Sequence, residues 1–258
     1  MNLDLSGKVA IITGASRGIG RAIAETLAGE RMRLVLVARS HDLLEGLAGQ
    51  LATECVVQAV DLRQAEAAAA VVNATTARFG QIDVLVNNAG ATVRGDFLTL
   101  TKAQWADGFA LKFFGAVRLT RLFWPLLKTT HGHLLNIIGT AARTAEPEFL
   151  ITGSVNAASA NFTKGLSKLG MRDGVHVNAI HPGLNATDRV EQLIEQRATA
   201  AGKSPDAMRA EMLEKSGTSR MASVEDIAQL AVFLCSERTR HIQGIAVAVD
   251  GGATPGVY

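Results

Sequence analysis

Apolar positions in this chain fall into short unbroken runs, separated by longer stretches in which they recur every three or four residues. The runs VAIIT (9–13), LVLVA (34–38), CVVQAV (55–60), IDVLVN (82–87), HLLNII (133–138), VHVNAI (175–180) and IAVAV (245–249) are mostly β-branched or aliphatic. A strand with one wet face would alternate. Strands apolar on both faces are covered on both, as in a parallel sheet between two layers of helices. The intervening stretches predict helices over about 18–30, 41–52, 64–79, 101–128, 152–170 and 224–236, with Pro125 bending or ending the fourth. Seven strands alternating with helices predict an α/β fold: a Rossmann-type doubly wound sandwich, its seven-stranded parallel sheet covered by helices on both faces.

Residues 186–217 break this rhythm. They lie between the sixth strand and the last helix, are rich in charge, and carry Leu193, Ile194, Met208, Met212 and Leu213 at near-helical spacing. Two readings stand. The segment is a helical substrate lid over the carboxyl edge of the sheet, where open α/β folds bind ligands, or a peripheral hairpin whose apolar stripe faces the core or another subunit.

Composition narrows the function classes. With 258 residues, 48% hydrophobic and 19% charged, and no linker-like segment, residues 1–258 form one domain with a large core. The net charge is +2, from 26 basic and 24 acidic residues, without a Lys or Arg run, which excludes a nucleic-acid groove or a membrane-surface helix and leaves a small molecule as partner. Cys55 and Cys235 stand far apart without metal-ligand spacing, so neither a disulfide framework nor a metal site is expected. No apolar run approaches the roughly 18 residues that span a bilayer, and the N-terminus has no apolar leader, so the expected location is the cytoplasm.

The candidate chemistry begins at Thr13-Gly-Ala-Ser-Arg-Gly-Ile-Gly20, between the first strand and first helix. Glycines there permit a tight turn and let backbone N–H groups and the positive end of a helix approach a pyrophosphate. Asn87-Asn-Ala-Gly90 closes the fourth strand and Pro182-Gly183 follows the sixth, so three loops converge on one crevice. At the end of the second strand stand Ala38-Arg39-Ser40, with Arg17 in the glycine loop. Two guanidiniums and no carboxylate suit a ribose 2′-phosphate, so NADP(H) is expected over NAD(H).

TGASRGIG, Asp61-Leu62, NNAG, the Pro182-Gly-Leu-Asn-Ala-Thr187 run and Val249-Asp-Gly-Gly252, in this order and spacing, resemble the short-chain dehydrogenase/reductase family from end to end. The resemblance implies that Gly14, Ser16, Arg17, Gly18, Ile19 and Gly20 surround the phosphates and adenosine ribose. By the same resemblance Asp61 and Leu62 flank the adenine, Asn88, Ala89 and Gly90 line the riboses, and Thr187, after Pro182 and Gly183, meets the carboxamide. A homotetramer or homodimer is implied as well.

The family reduces carbonyls with a tyrosine that protonates the oxygen, a lysine that lowers the tyrosine pKa, a serine that orients the carbonyl and an asparagine that holds a water. All four positions depart here. Asn136-Ile-Ile-Gly139 ends in Gly139 at the serine position, Thr152 stands for tyrosine, Asn156 for lysine, and Lys112 for asparagine. The chain's one tyrosine is Tyr258, its last residue. An aliphatic hydroxyl is too weak an acid to replace a phenol. The asparagine and lysine positions look exchanged, which suggests a rebuilt site with an ammonium near the ribose or the substrate oxygen. The leading expectation is an NADP(H)-dependent oxidoreductase with a non-standard active site, passing a hydride to a small acceptor that needs little proton help: an iminium, a quinone or an activated alkene. The alternative is a catalytically inactive NADP(H)-binding module or partner subunit, while lyase or hydrolase chemistry lacks a nucleophile and base pair. Secondary candidates are Thr140 as a hydroxyl, Ser154 facing the pocket or packed, His181 as a titrating or structural group, Arg94 and Arg143 as anion-binding or surface residues, and Tyr258 reaching a neighbouring subunit.

Overall fold

The structure, a computed structural model, describes residues 2–91 and 93–255. Seven parallel strands, β1 (Val9–Thr13), β2 (Arg33–Ala38), β3 (Cys55–Ala59), β4 (Val84–Asn87), β5 (His133–Ile137), β6 (His176–Pro182) and β7 (Ala246–Val249), lie in the order β3-β2-β1-β4-β5-β6-β7. The chain winds outward from β1 to β3, then returns to place β4 on the other flank of β1. The β1/β4 junction is therefore the point at which the direction of winding reverses, where a crevice opens at the carboxyl ends of the strands.

Successive residues of a strand point to opposite faces, and the two cores follow that alternation. Ala10, Ile12, Leu34, Leu36, Val84 and Val86 pack with α1 (Gly18–Gly29), α2 (His41–Ala48) and α9 (Val224–Leu234) on one face. Ile11, Val35, Val37 and Leu85 pack on the other with α3 (Ala67–Phe79) and α5 (Ala116–Thr130), and Leu166 of α6 (Leu150–Asp173) leans against them. Both faces are dry, which is why the strands read as unbroken apolar runs.

The predicted helix over 101–128 is in fact two. α4 (Lys102–Phe109) begins at a Thr101/Gln104 capping box and runs into a π-helical turn, Ala110–Gly115, before α5 continues. The discontinuity thus falls at Lys112 and not at Pro125, which sits inside α5. Pro125 is exposed, so the carbonyl its missing N–H leaves open faces water, and the helix tolerates it. Residues 186–217 form α7 (Asp188–Ala201) and α8 (Pro205–Ser216), a hairpin that packs Ile194, Ala198 and Met208 among its own apolar side chains and Met221. No helix among the described residues is long and apolar enough to cross a membrane, and no group of three or more His, Cys, Asp or Glu among them is placed to hold a metal. Tyr258 lies outside the described residues.

Candidate active site

The strand ends are riveted together before any ligand arrives. The Thr13 hydroxyl, at the tip of β1, donates to the Val86 carbonyl (3.2 Å) and accepts from the backbone N–H groups of Asn88 and Ala89 (2.9 Å each). Asn88 returns a side-chain bond to the Thr13 carbonyl (2.9 Å). Gly14, at φ +70°, lies so close that a β-carbon on it would stand 2.8 Å from the Asn88 amide nitrogen. A buried polar ladder extends the frame: Asn87 donates to Thr120 (3.1 Å) and Asn136 (3.0 Å), and Asn136 donates to Thr163 (2.8 Å). It fixes α5 and α6 against the middle of the sheet, because breaking any rung would leave a buried polar group unpaired.

Above this frame opens one cavity of about 1070 Å³. Its walls include Gly14, Ser16, Arg17, Gly18, Ile19, Arg39, Leu62, Asn88, Ala89 and Gly90 on one side, and Lys112, Gly139, Thr140, Thr152, Asn156, Pro182, Gly183 and Thr187 toward the other. Two of the residues assigned to the cofactor, Gly20 and Asp61, do not line it, nor do the secondary candidates Ser154, which is exposed, His181 and Arg143. Gly20 is buried beneath the glycine turn, where a β-carbon would meet the Gly14 carbonyl at 2.3 Å, so it serves the contact between helix and turn. Asp61 turns its carboxylate to Arg63, which binds both oxygens (2.6–3.1 Å) and also reaches Asp107 (2.8 Å).

Lys112 and Asn156 do share this cavity. The Lys112 stem runs beneath Gly90, where a β-carbon would lie 3.1 Å from Lys112 Cδ. Its enclosed ammonium donates to the Ile138 carbonyl, beside Gly139. Burial, helped by the positive charge of Arg189, brings its pKa down from 10.5 to about 8. Gly139 has φ +128° and ψ 149°, a conformation essentially restricted to glycine, and a β-carbon on it would stand 3.0 Å from Asn156 Nδ2. The amide of Asn156 fills the space a side chain at 139 would need. Its Oδ1 is buried without a partner.

Thr152 is engaged elsewhere. Its hydroxyl accepts from the backbone N–H of Val93 and donates to the Val93 carbonyl, both at 3.0 Å, so it clips the loop after β4 onto α6. Next to it, the Arg94 guanidinium lies 3.8 Å from the centre of the Phe149 ring.

Residues 14–254 match a family model described as enoyl-(acyl carrier protein) reductase. The chain belongs to the short-chain dehydrogenase/reductase family. A 3-oxoacyl-(acyl-carrier-protein) reductase of Vibrio cholerae is 29% identical over 97% of this chain and 98% of its own, and an uncharacterised oxidoreductase of Bacillus subtilis, YvrD, is 30% identical over 98% of each. Among solved structures, L-sorbose reductase from Gluconobacter frateurii, complexed with NADPH and L-sorbose, superposes with a TM-score of 0.94 at 33% identity and covers 100% of both chains. A 3-ketoacyl-(acyl-carrier-protein) reductase from Brucella melitensis, complexed with NADH, gives 0.86 at 26% identity over 98% of this chain and 100% of its own. The protein is an oxidoreductase of the short-chain dehydrogenase/reductase type, and these two neighbours hold a nicotinamide dinucleotide.

The glycine turn of this short-chain dehydrogenase/reductase fits that cofactor. Gly18, at φ +55°, opens α1 with a β-carbon position that meets only a Thr187 methyl at 3.7 Å, which leaves the helix N-terminus open to a phosphate. Elsewhere His181 is buried with neither ring nitrogen partnered, and burial, then the charges of Arg143 and Lys112, lowers its pKa to about 4, so it is neutral at pH 7. Arg143 donates to the Ala246 carbonyl (3.2 Å). Cys55 and Cys235 are free, and burial raises both thiols, to about 11 and 12. Sequence reasoning missed Thr13, Glu148, Arg189 and Arg197. Only Thr13 carried a signal, a hydroxyl at the last strand position before a glycine turn.

Proposed function

We propose that the protein is an NADP(H)-dependent oxidoreductase with a non-standard active site, in which the Lys112 ammonium, and not a tyrosine, faces the acceptor. The observation that carries this reading is the placement of that ammonium, enclosed at the Ile138 carbonyl beside Gly139 in the same cavity as Asn156. NADPH, when bound, supplies the hydride that the acceptor takes up at carbon. Lys112 stabilises negative charge on the acceptor's oxygen, and with a pKa of about 8 it is both mostly protonated at pH 7 and able to release a proton. Asn156 offers its unpartnered Oδ1 as an acceptor in the same pocket. Thr152 holds the wall by clipping Val93, and α7 with α8 closes the cavity as a lid through Gln192, Arg197 and Met212. Acceptors that need little proton help and gather the developing charge on oxygen, namely quinones and enones, suit this equipment better than the iminium ions also expected, which are cations without that oxygen.

NADP(H) is preferred over NAD(H) because Arg17 and Arg39 line the crevice at the ends of β1 and β2 and suit a 2′-phosphate. Titration followed by nicotinamide fluorescence tests this: Arg39→Ala should weaken NADPH about tenfold or more and leave NADH unchanged, and equal wild-type affinities for both would end the preference. The chemistry is tested by NADPH consumption over a panel of quinones, enones and preformed imines, with Lys112→Met as control. Tight NADPH binding without turnover on any of them would replace this reading with that of a binding module. Assembly as a homodimer or homotetramer belongs to the same proposal, with Phe114 and Leu122 exposed along the π turn and α5, and sedimentation measures it.

A further inference from the structure

The proposed function leaves open what kind of acceptor enters. The wall clipped by Thr152 carries a second constellation. Arg94 follows β4, lies over the Phe149 ring and donates to Glu148 Oε2 at 3.2 Å. Arg197 reaches across from α7 and stands 3.9 Å from the same oxygen. All four residues line the cavity. Two guanidiniums from different elements thus converge on one carboxylate oxygen, which belongs to a side chain 72% exposed, in a short turn.

A guanidinium held over an aromatic ring is already positioned and loses little freedom on binding. Glu148, by contrast, is held loosely, by one ordinary bond and one contact beyond bonding distance. It occupies the pair as a removable internal anion.

A second observation points the same way. Burial is the first cause of the lowered pKa of Lys112, His181 and Arg94, and neighbouring cations add to it, Arg189 at Lys112, Arg143 and Lys112 at His181, and Arg197 at Arg94, against the opposing carboxylates of Asp250 at His181 and of Glu148 and Glu146 at Arg94. The cavity lining itself carries eight Lys and Arg side chains against four Asp and Glu, an excess of positive charge that favours anions.

We propose that Arg94 and Arg197 form a clamp for a carboxylate group of the acceptor, which displaces Glu148 from the pair as it binds. The acceptor is then an anionic enone or quinone: its carboxylate rests at the Phe149 wall and its reducible group faces Lys112. This assignment rests on the oxidoreductase reading for the second half only. The clamp itself is a binding site and is measured without turnover.

The test uses two enone acids, 4-oxopent-2-enoate and 4-oxo-4-phenylbut-2-enoate, each beside its methyl ester. Calorimetric binding to the NADP⁺-saturated protein should favour each acid over its ester by at least about tenfold, the range of charge-assisted pairing. Arg197→Gln, a change on a lid helix that circular dichroism can show to be folded, should bring the acid down to the level of the ester. Glu148→Gln should tighten the acid severalfold and leave the ester unchanged, because the competing carboxylate is gone. A purely structural Arg94–Glu148 strut predicts the reverse, since its loss would loosen the wall and weaken both.

Equal binding of acid and ester, no binding of either acid, or weaker acid binding in Glu148→Gln overturns the clamp. NADPH consumption separates the two readings. Acids that bind preferentially but are not reduced would uphold the clamp and refute hydride transfer to them. Acids and esters reduced with equal kcat/KM would uphold hydride transfer and refute the clamp.

Discussion

Lys112→Met should make the protein more stable at pH 7, and that advantage should vanish as the pH rises. Burial is the main reason the folded-state pKa of Lys112 falls from 10.5 to about 8, with Arg189 adding repulsion. Below pH 8 the ammonium is charged in both states and the fold bears the whole penalty. Between 8 and 10.5 the unfolded chain still holds the proton that the folded chain has released, so this residue makes stability rise with pH; above 10.5 the penalty is gone. At about 1.4 kcal/mol per pH unit, the full penalty is about 3 kcal/mol. Methionine keeps the length of the stem but gives up the bond to the Ile138 carbonyl, which costs about 1 kcal/mol. The net gain at pH 7 is about 2 kcal/mol, or roughly 4–8 °C in a chain of this size. Urea midpoints and thermal melts of both proteins at pH 7, 9 and 10.5 measure it, the comparison cancelling alkaline effects common to the two. A variant less stable than the parent at pH 7, or an advantage just as large at pH 10.5, refutes the reasoning. Loss of turnover alongside the gain in stability would show that the fold tolerates this lysine for its chemistry.

The remaining predictions concern the walls. Thr152→Val removes both bonds to Val93 and should lower stability by about 1–2 kcal/mol, speed amide hydrogen exchange at Val93 to Gly95, and raise KM more than it lowers kcat, with Thr152→Ser restoring the parent values. Gly139→Ser forces a side chain into a glycine-only conformation against Asn156 and should cost about 1–3 kcal/mol in a thermal melt; an unchanged melt would show that the loop repacks. Acid should weaken the fold as pH falls from 6.5 toward 4. Burial first, then neighbouring cations, lowers His181 to about 4 and His133 to about 3, so the unfolded chain takes up protons there before the folded one. About 1 kcal/mol for each histidine between pH 6.5 and 5 is expected from urea midpoints, and His181→Leu should flatten the fall.

The sheet was legible because its residues are dry on both faces, and dryness is written directly into composition. Ala10 and Ile11 face opposite cores, and both are apolar. The glycine turn was legible because positive φ at Gly14 and close approach at Gly20 leave few alternatives to glycine. The break in the helix over 101–128 was placed wrongly: proline is an audible signal, whereas the π turn at Lys112 packs Gly115 against the carbonyl of Leu62, distant in sequence, which Arg118 also binds. The same limit hid the cation pair. Arg197 reads as one more charge on an amphipathic helix, and nothing local says that α7 carries it to within 3.9 Å of Glu148. Thr152 was set aside as an acid on chemical grounds, and its grip on Val93 could not be read at all, because it depends on where the loop after β4 travels.

The position of β1 also sets a timetable. Ala10 pairs with Leu34 on one flank and with Val84 on the other, so the second closure spans about three times as much chain and costs about 1 kcal/mol more in loop entropy. During synthesis the β1–β2–β3 half can assemble while β4 is still to be made. Until β4 docks and Thr13 finds its three partners, the crevice has only one wall. A ligand of this crevice can therefore recognise the chain only near the end of folding, and its binding would stabilise the finished sheet over every half-built one.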